Sequence, residues 1–228
     1  MLPNISKKTK IVCTIGPASQ TKEMILKLYA SGMNVMRVNF SHGDHEEQLG
    51  KIKIARQLEN EGIYLPVCLD TKGPEIRTGY MQKGGVPVQA GQRMKILMEN
   101  VVGDEKQFSV TYSGLYEDVK PGDHILIDDG ELDLEVIGKD SNDRSILVEA
   151  KNDHLLKDQK GVNCPFSRLS MPFISKQDEK DLAFGVEQHV DAIFASFTRR
   201  PEDILDIKRV LAKYGDADIP VFAKIENP

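Results

Sequence analysis

From Asn34 to Asp44 apolar and polar residues alternate with a period of two, the pattern of a strand. Met36, Val38 and Phe40 fall on one face, and Arg37, Asn39 and Ser41 on the other. A parallel strand covered on both sides is apolar on both faces. This one carries a cation, an amide and a hydroxyl in a row, which is costly in a core unless charge, ligand or metal meets it. Gly43-Asp44 then breaks the strand and opens a helix. The polar row therefore lies at the carboxyl end of a strand, where α/β folds place their ligands. The competing explanation is an internal salt bridge filling a barrel floor.

The segments around this strand read as alternating β and α. Lys10–Ile15 is a short β-branched run closed by Gly16-Pro17. Ser19 or Thr21 can cap a helix with Met24, Ile25 and Leu28 on its apolar side, stopped by Gly32. After the polar-rowed strand, Asp44 and Glu47 have the spacing of a capping box. Leu49, Ile52, Ala55 and Leu58 then fall on one helical face up to Gly62. Leu65–Leu69 is a third apolar run, ending at Asp70-Thr71. The order β-α-β-α-β implies parallel strands with right-handed crossovers.

The texture changes from about Ile76 to Met171, where helical periodicity fades and short β-type runs alternate with turn pairs. Strands are expected at Val110–Tyr112, His124–Ile127, Leu132–Ile137 and Ser145–Val148, giving a small antiparallel β domain inserted into the α/β scaffold. Asp128-Asp129-Gly130 lacks the spacing of an EF-hand and reads as a hairpin turn. After Pro172 the βα rhythm returns. Ser175 with Asp178 caps a helix running toward His189, and Asp191–Phe197 is a fourth strand. Pro201, with Glu202 and Asp203 behind it, opens a helix ending near Gly215, and Ile219–Ile225 is a fifth strand. On that strand Phe222, Lys224 and Glu226 share a face.

Composition narrows the class. Hydrophobic content of 40% and charged content of 29% are those of a globular domain. The net charge of -5 argues against nucleic acid or an anionic membrane as main partner. No apolar run approaches the roughly 18 residues that span a bilayer, and the lysines of Met1–Lys10 are not followed by a signal-type apolar segment. Cys13, Cys68 and Cys164 are an odd, sparse set, the first two inside apolar runs, so buried reduced thiols and a cytoplasmic location are expected.

The polar groups at strand ends are Arg37, Asn39 and Ser41, then Asp70 and Thr71, then Lys224 and Glu226, and in a barrel they converge on one mouth. Oxygen donors from Asn39, Ser41, Asp70 and Thr71 suit a hard cation of sodium, potassium or magnesium type, with Glu226 a further hard-metal carboxylate. Arg37 offers a planar fork to phosphate or carboxylate. Lys224 offers a point charge to a developing enolate or transferring phosphoryl group. Cations beside oxygen-ligated metals, without a Ser-His or Cys-His pair, fit phosphoryl transfer or enolate chemistry. His42 and His45 straddle a turn without a cysteine pair, a weak zinc signal. Neither a P-loop nor a dinucleotide glycine fingerprint is present.

Lys10–Pro17, Asn34–Asp44, Leu69–Thr78, Lys160–Asn163 and Lys224–Asn227 together resemble pyruvate kinase in order and spacing, over essentially the whole chain. The resemblance implies an α/β fold. It is a partial (β/α)8 TIM barrel of five βα strands over residues 1–75 and 172–228, with an antiparallel β-barrel-like lid domain inserted at 76–171. It implies phosphoryl transfer from phosphoenolpyruvate to ADP, giving pyruvate and ATP, under a mobile lid that excludes water. By the same resemblance Arg37 holds the transferring phosphoryl group and Lys224 stabilises the transition state and enolate. Asn39, Ser41, Asp70 and the Thr71 carbonyl hold K+, and Glu226 holds Mg2+ (or Mn2+). His42, Arg77 and Lys160 line the nucleotide phosphates. Glu75 matches the potassium-requiring members, since a nearby carboxylate favours keeping a cation.

The chain departs from the family's pattern in stopping after the fifth strand, with roughly half of the about 250 residues of a complete barrel. The family's second magnesium carboxylate, its proton-donor threonine and its carboxy-terminal domain are not among the residues present. Two strand edges are expected to be unpaired, inviting a second copy or a complementing carboxy-terminal chain. The chain alone is expected to turn over little. The alternative reading is a non-catalytic fragment or split-enzyme half that needs a partner.

Overall fold

The computed structural model describes residues 7–226. Asn227, the last residue of the Lys224–Asn227 motif, and the first six residues of the lysine-bearing amino terminus lie outside the described residues. In chain order the elements are β1 (Val12–Thr14), α1 (Lys22–Ala30), β2 (Val35–Asn39), α2 (His45–Asn60) and β3 (Val67–Asp70). Nine short strands follow: β4 (Ile76–Arg77), β5 (Gly85–Val88), β6 (Arg93–Leu97), β7 (Gln107–Ser109), β8 (His124–Ile127), β9 (Leu132–Asp140), β10 (Ser145–Ala150), β11 (His154–Lys157) and β12 (Gly161–Asn163). A one-turn helix, α3 (Leu115–Asp118), lies between β7 and β8. The chain then forms α4 (Lys176–Glu187), β13 (Ala192–Ala195), α5 (Pro201–Lys213) and β14 (Val221–Ala223). By internal contacts the described residues divide into two compact units, one of 7–74 with 173–226 and one of 75–172.

The first unit is a five-stranded parallel sheet in the order β1-β2-β3-β13-β14. Its helices start where local chemistry says they should. Thr21 caps α1 by accepting from the Met24 N–H, while Ser19 instead closes the turn at Gly16. Asp44 caps α2 by accepting from the Glu47 N–H. The Glu47 side chain does not complete a capping box; it pairs with Lys51 at 2.7 Å. Ser175 and Asp178 form a reciprocal box on α4, and Pro201 opens α5. The strand alternation holds: Met36, Val38 and Phe40 are buried and belong to the unit's apolar core with Ile25, Leu69 and Ile193. β1, β13 and β14 stop one to two residues inside the expected limits at each end, whereas β3 starts two residues late and runs one residue further, to Asp70.

Two further expectations fail in this unit. On α2 the buried face includes Gln48 and Lys51, at 2% and 5% exposure, while Leu49 is only half-buried. Gln48 is held inward by hydrogen bonds to the chain before the helix, and Lys51 by hydrogen bonds to Gln48 and Glu47. Cys13 is half-buried, because β1 is an edge strand covered on one side, whereas Cys68 is buried in a central one.

The second unit is a seven-stranded sheet, β4-β12-β8-β9-β10-β6-β7, with a two-stranded piece, β11-β5. Thr78, next to β4, bridges Val110, next to β7, and Thr111 N donates to Arg77 O at 2.8 Å. The sheet thus closes on itself around Phe108, Leu134 and Ile146, which are fully buried, and closure removes its exposed edges. The expected strand at Val110–Tyr112 is displaced to β7, since Val110 makes only that isolated bridge. Pairing is antiparallel apart from β6 with β7, which run parallel. Asp128, Asp129 and Gly130 form the β8–β9 turn with φ of 55°, 57° and 91°, as a hairpin turn of this composition requires. No helix among the described residues is long and apolar enough to cross a membrane.

Candidate active site

The registers of the parallel sheet bring the strand ends level. Asn39 pairs with Asp70, Asp70 with Phe194, and Phe194 with Phe222. One to two residues beyond that row stand Ser41, Thr71, Ser196 and Lys224, at the carboxyl end of the sheet.

Asp70 is the hub. Its carboxylate is 1% exposed and accepts from Arg37 through both Nε and Nη2 on Oδ2. Lys224 Nζ lies 3.1 Å from Oδ1 and 3.4 Å from Oδ2, and the Ser196 hydroxyl donates to Oδ1 at 3.0 Å. Two cations compensate one buried anion, which is what keeps that anion tolerable inside. Arg37 also donates to the Thr14 hydroxyl, tying the fork to β1. Lys224 Nζ donates to Ser196 Oγ at 2.8 Å and stands 3.4 Å from Glu226 Oε1.

Ser196 was not singled out from the sequence. It follows the last residue of β13 directly, two residues beyond Phe194, the register partner of Asp70, so the strand-end rule applied to the fourth strand would have found it. It is 3% exposed, and its N–H donates to Thr71 Oγ1 at 3.2 Å. The next residue, Phe197, sits in the left-handed region with φ 56°. Its N–H donates to Glu226 Oε2 at 2.7 Å. Backbone held in such a region costs on the order of 1–3 kcal/mol and persists where surrounding bonds over-determine it.

Asn39 Oδ1 accepts from the Ser41 N–H at 2.9 Å, so the amide shapes the turn after β2. Thr71 is buried, its hydroxyl engaged by Ser196 N. The structure therefore gathers Arg37, Asp70, Thr71 and Lys224 into one bonded cluster through Ser196. Glu226 is attached through Lys224, and Asn39 stands beside Asp70 in register. His42 is exposed on the turn. His45 departs from any metal role: its Nε2 lies 2.7 Å from Asp181 and its ring stacks on Phe184 at 4.4 Å. Among the described residues no three His, Cys, Asp or Glu side chains gather as a metal site.

Arg77 and Lys160 belong to the second unit. Arg77 donates to Gln159 O at 2.7 Å and pairs with Glu75 Oε1 at 2.5 Å, leaving Glu75 Oε2 buried without a hydrogen-bond partner among the described residues. Lys160 Nζ lies 2.9 Å from Asp128 Oδ1, and this bond holds the Asp128 carboxyl below its ordinary value.

The barrel-domain model of pyruvate kinase matches residues 6–228. The chain is 46% identical over 222 residues to the pyruvate kinase of Bacillus licheniformis, covering 97% of this chain and 38% of that protein. It is 47% identical over 225 residues to that of Staphylococcus aureus (strain USA300), with the same coverage of each. The chain thus spans 38% of the length of these relatives. With a parallel sheet carrying its charged cluster at the carboxyl end and a closed β unit inserted after the third strand, the chain belongs to the pyruvate kinase family.

Proposed function

We propose that the cluster around Asp70 serves phosphoryl transfer from phosphoenolpyruvate to ADP, giving pyruvate and ATP in cytoplasmic glycolysis. The observation that carries this reading is the placement of Arg37 and Lys224 on one buried carboxylate at the carboxyl end of the sheet. Asp70 and Glu226 balance the charge of those two cations. A phosphorylated carboxylate entering the site brings further negative charge, which calls for added cations. The available donors, the Asn39 amide, the Ser41 hydroxyl, Asp70, the Thr71 carbonyl and Glu226, are all oxygen, which fits K+ on the first four and Mg2+ or Mn2+ on Glu226. A bound divalent ion would neutralise charge on the transferring phosphoryl oxygens. Arg37 orients that group with its planar fork, and Lys224 stabilises the negative charge developing on the enolate oxygen. Ser196 and Asp70 fix the direction of the Lys224 ammonium. His42, Arg77 and Lys160 are the proposed contacts to nucleotide phosphates.

The test is phosphoenolpyruvate binding followed by thermal shift with Mg2+ and K+ present, alongside a coupled pyruvate assay. Lys224→Met should abolish the ligand-dependent shift and lower any turnover by roughly 10²–10³. Arg56→Met, at the opposite end of the sheet, should leave the shift in place. A Lys224→Met chain that binds and turns over like the parent overturns the proposal.

A second reading, that catalysis needs a further chain to extend the sheet, is favoured by the two edge strands. Ile11 and Val12 at one edge and Phe222 and Ile225 at the other are 41%, 43%, 56% and 70% exposed. Turnover that appears only on mixing with a separately expressed carboxy-terminal portion of a relative would support it, and full turnover by a monomer alone would exclude it.

A further inference from the structure

Gln48 is, with Lys51, a polar side chain on the buried face of α2 that the proposed reaction does not use. It is 2% exposed. Its Nε2 donates to the carbonyls of Asn39 at 3.2 Å and His42 at 2.6 Å, the two ends of the turn that carries Ser41. Its Oε1 accepts from Lys51 Nζ at 3.0 Å, and Lys51 is braced in turn by Glu47 at 2.7 Å. Only an amide meets this set: two acceptors face one end and a buried ammonium faces the other. Within the turn, Gly43 has φ +73°, and a Cβ there would stand 3.1 Å from Gln48 Nε2 and 2.5 Å from Glu47 Oε2. The chain is thus pressed onto the amide, with no room for a side chain between them.

We propose that Gln48 is a positioning residue: it clamps the 39–43 turn and so sets the spacing of the Asn39 and Ser41 oxygens offered to a monovalent cation. This rests on the cation reading given above. The physical link is short. Asn39 Oδ1 is held by the Ser41 N–H, and both residues are covalently joined to the carbonyls that Gln48 grips. Without the amide those two carbonyls lose their donor and Lys51 its acceptor, so the turn opens toward water, where its groups can be satisfied.

The test uses Gln48→Met, which keeps the volume, and Gln48→Glu, which keeps a partner for Lys51 but offers no donor at pH 8. Two quantities are read on the full chain. The first is hydrogen exchange of residues 39–43, with α4 as internal reference. The second is the KCl midpoint of the rise in melting temperature, at ionic strength held constant with tetramethylammonium chloride. In either folded variant exchange at 39–43 should quicken roughly tenfold while α4 keeps its wild-type rate. The KCl midpoint should rise roughly tenfold, the lower end of what loss of a ligand-orienting partner costs. Unchanged exchange at 39–43 overturns the proposal and leaves the cation reading standing. Quickened exchange with an unchanged KCl midpoint also overturns it, since the clamp would then not bear on the cation. A parent chain that shows no KCl response overturns the cation reading itself, and the positioning role falls with it.

Discussion

Lys224 Nζ lies 3.1 Å from Asp70 Oδ1, although 154 residues separate the two in the chain. The insertion of a whole β unit between them leaves this pairing to the sheet register alone. Asp70 also holds Arg37, so the carboxylate keeps one cation when the other is removed, whereas both cations lose their shared buried partner when the carboxylate goes. Asp70→Asn should therefore cost about 3 kcal/mol of unfolding free energy, the lower end for breaking a buried pair, since both cations keep partial access to water. Lys224→Met should cost about 1 kcal/mol. Urea midpoints of the two variants check the order, and an equal or larger loss for Lys224→Met would refute the hub assignment.

Gly73 follows β3 with φ +67°, and a Cβ there would meet the Ser196 carbonyl oxygen at 2.7 Å. Its N–H donates to Asp178 at 3.0 Å, so the turn cannot easily move away. Gly73→Ala combines a left-handed penalty with overpacking against backbone and should destabilise by about 3 kcal/mol. Chemical denaturation measures this, and a loss within the scatter of surface substitutions would contradict the close approach.

Burial pushes the thiols of Cys68 and Cys164 up to about 12. At pH 8 both should stay protonated and react with a disulfide reagent only as fast as the fold opens, while half-buried Cys13 reacts first. Counting released thiolate should give one group in the folded protein and three after denaturation. Prompt release of two or three from folded protein would contradict the burial.

In the inserted unit the hydrogen bond from Lys160 is the main reason the Asp128 carboxyl lies below its ordinary value of 3.8. A carboxylate with a depressed folded value adds stability that is fully present above its unfolded value and lost as pH falls through the folded one. The contribution of Asp128 should thus hold at pH 5 and disappear on acidification below about 4. Asp128→Asn should make the stability of the chain less steep in pH over that acid range and change it by under about 1 kcal/mol at neutrality. Parallel curves for parent and variant below pH 4 would show that the pair does not titrate with folding.

Ile225 is 70% exposed just beyond the edge strand β14, where Phe222 is also exposed. An apolar, unpaired edge promotes association. Ile225→Lys should lower light scattering at a given concentration without shifting the melting temperature by more than a degree or two. Unaltered scattering would place association elsewhere.

The local features were readable along the chain because they depend on neighbours a few residues away. The polar row of Arg37, Asn39 and Ser41, the caps at Asp44 and Ser175, Pro201 at the head of α5 and the Asp128–Gly130 turn all follow from backbone geometry and side chains at short spacing. The strand-end rule also pointed to Asp70 and Lys224 as occupants of one mouth. Tertiary structure alone decided what those groups touch. Ser196 became a bridge because β13 lies between β3 and β14, an order that no local pattern encodes. Gln48 turned inward, against the apolar periodicity of α2, because the turn before the helix presents two carbonyls that need a donor, and Lys51 followed because the Gln48 amide oxygen accepts from it. The second sheet closed through a single bridge between Thr78 and Val110, residues too far apart in sequence to signal one another. Periodicity reports which face of an element is buried; only long-range register determines which polar groups meet once it is.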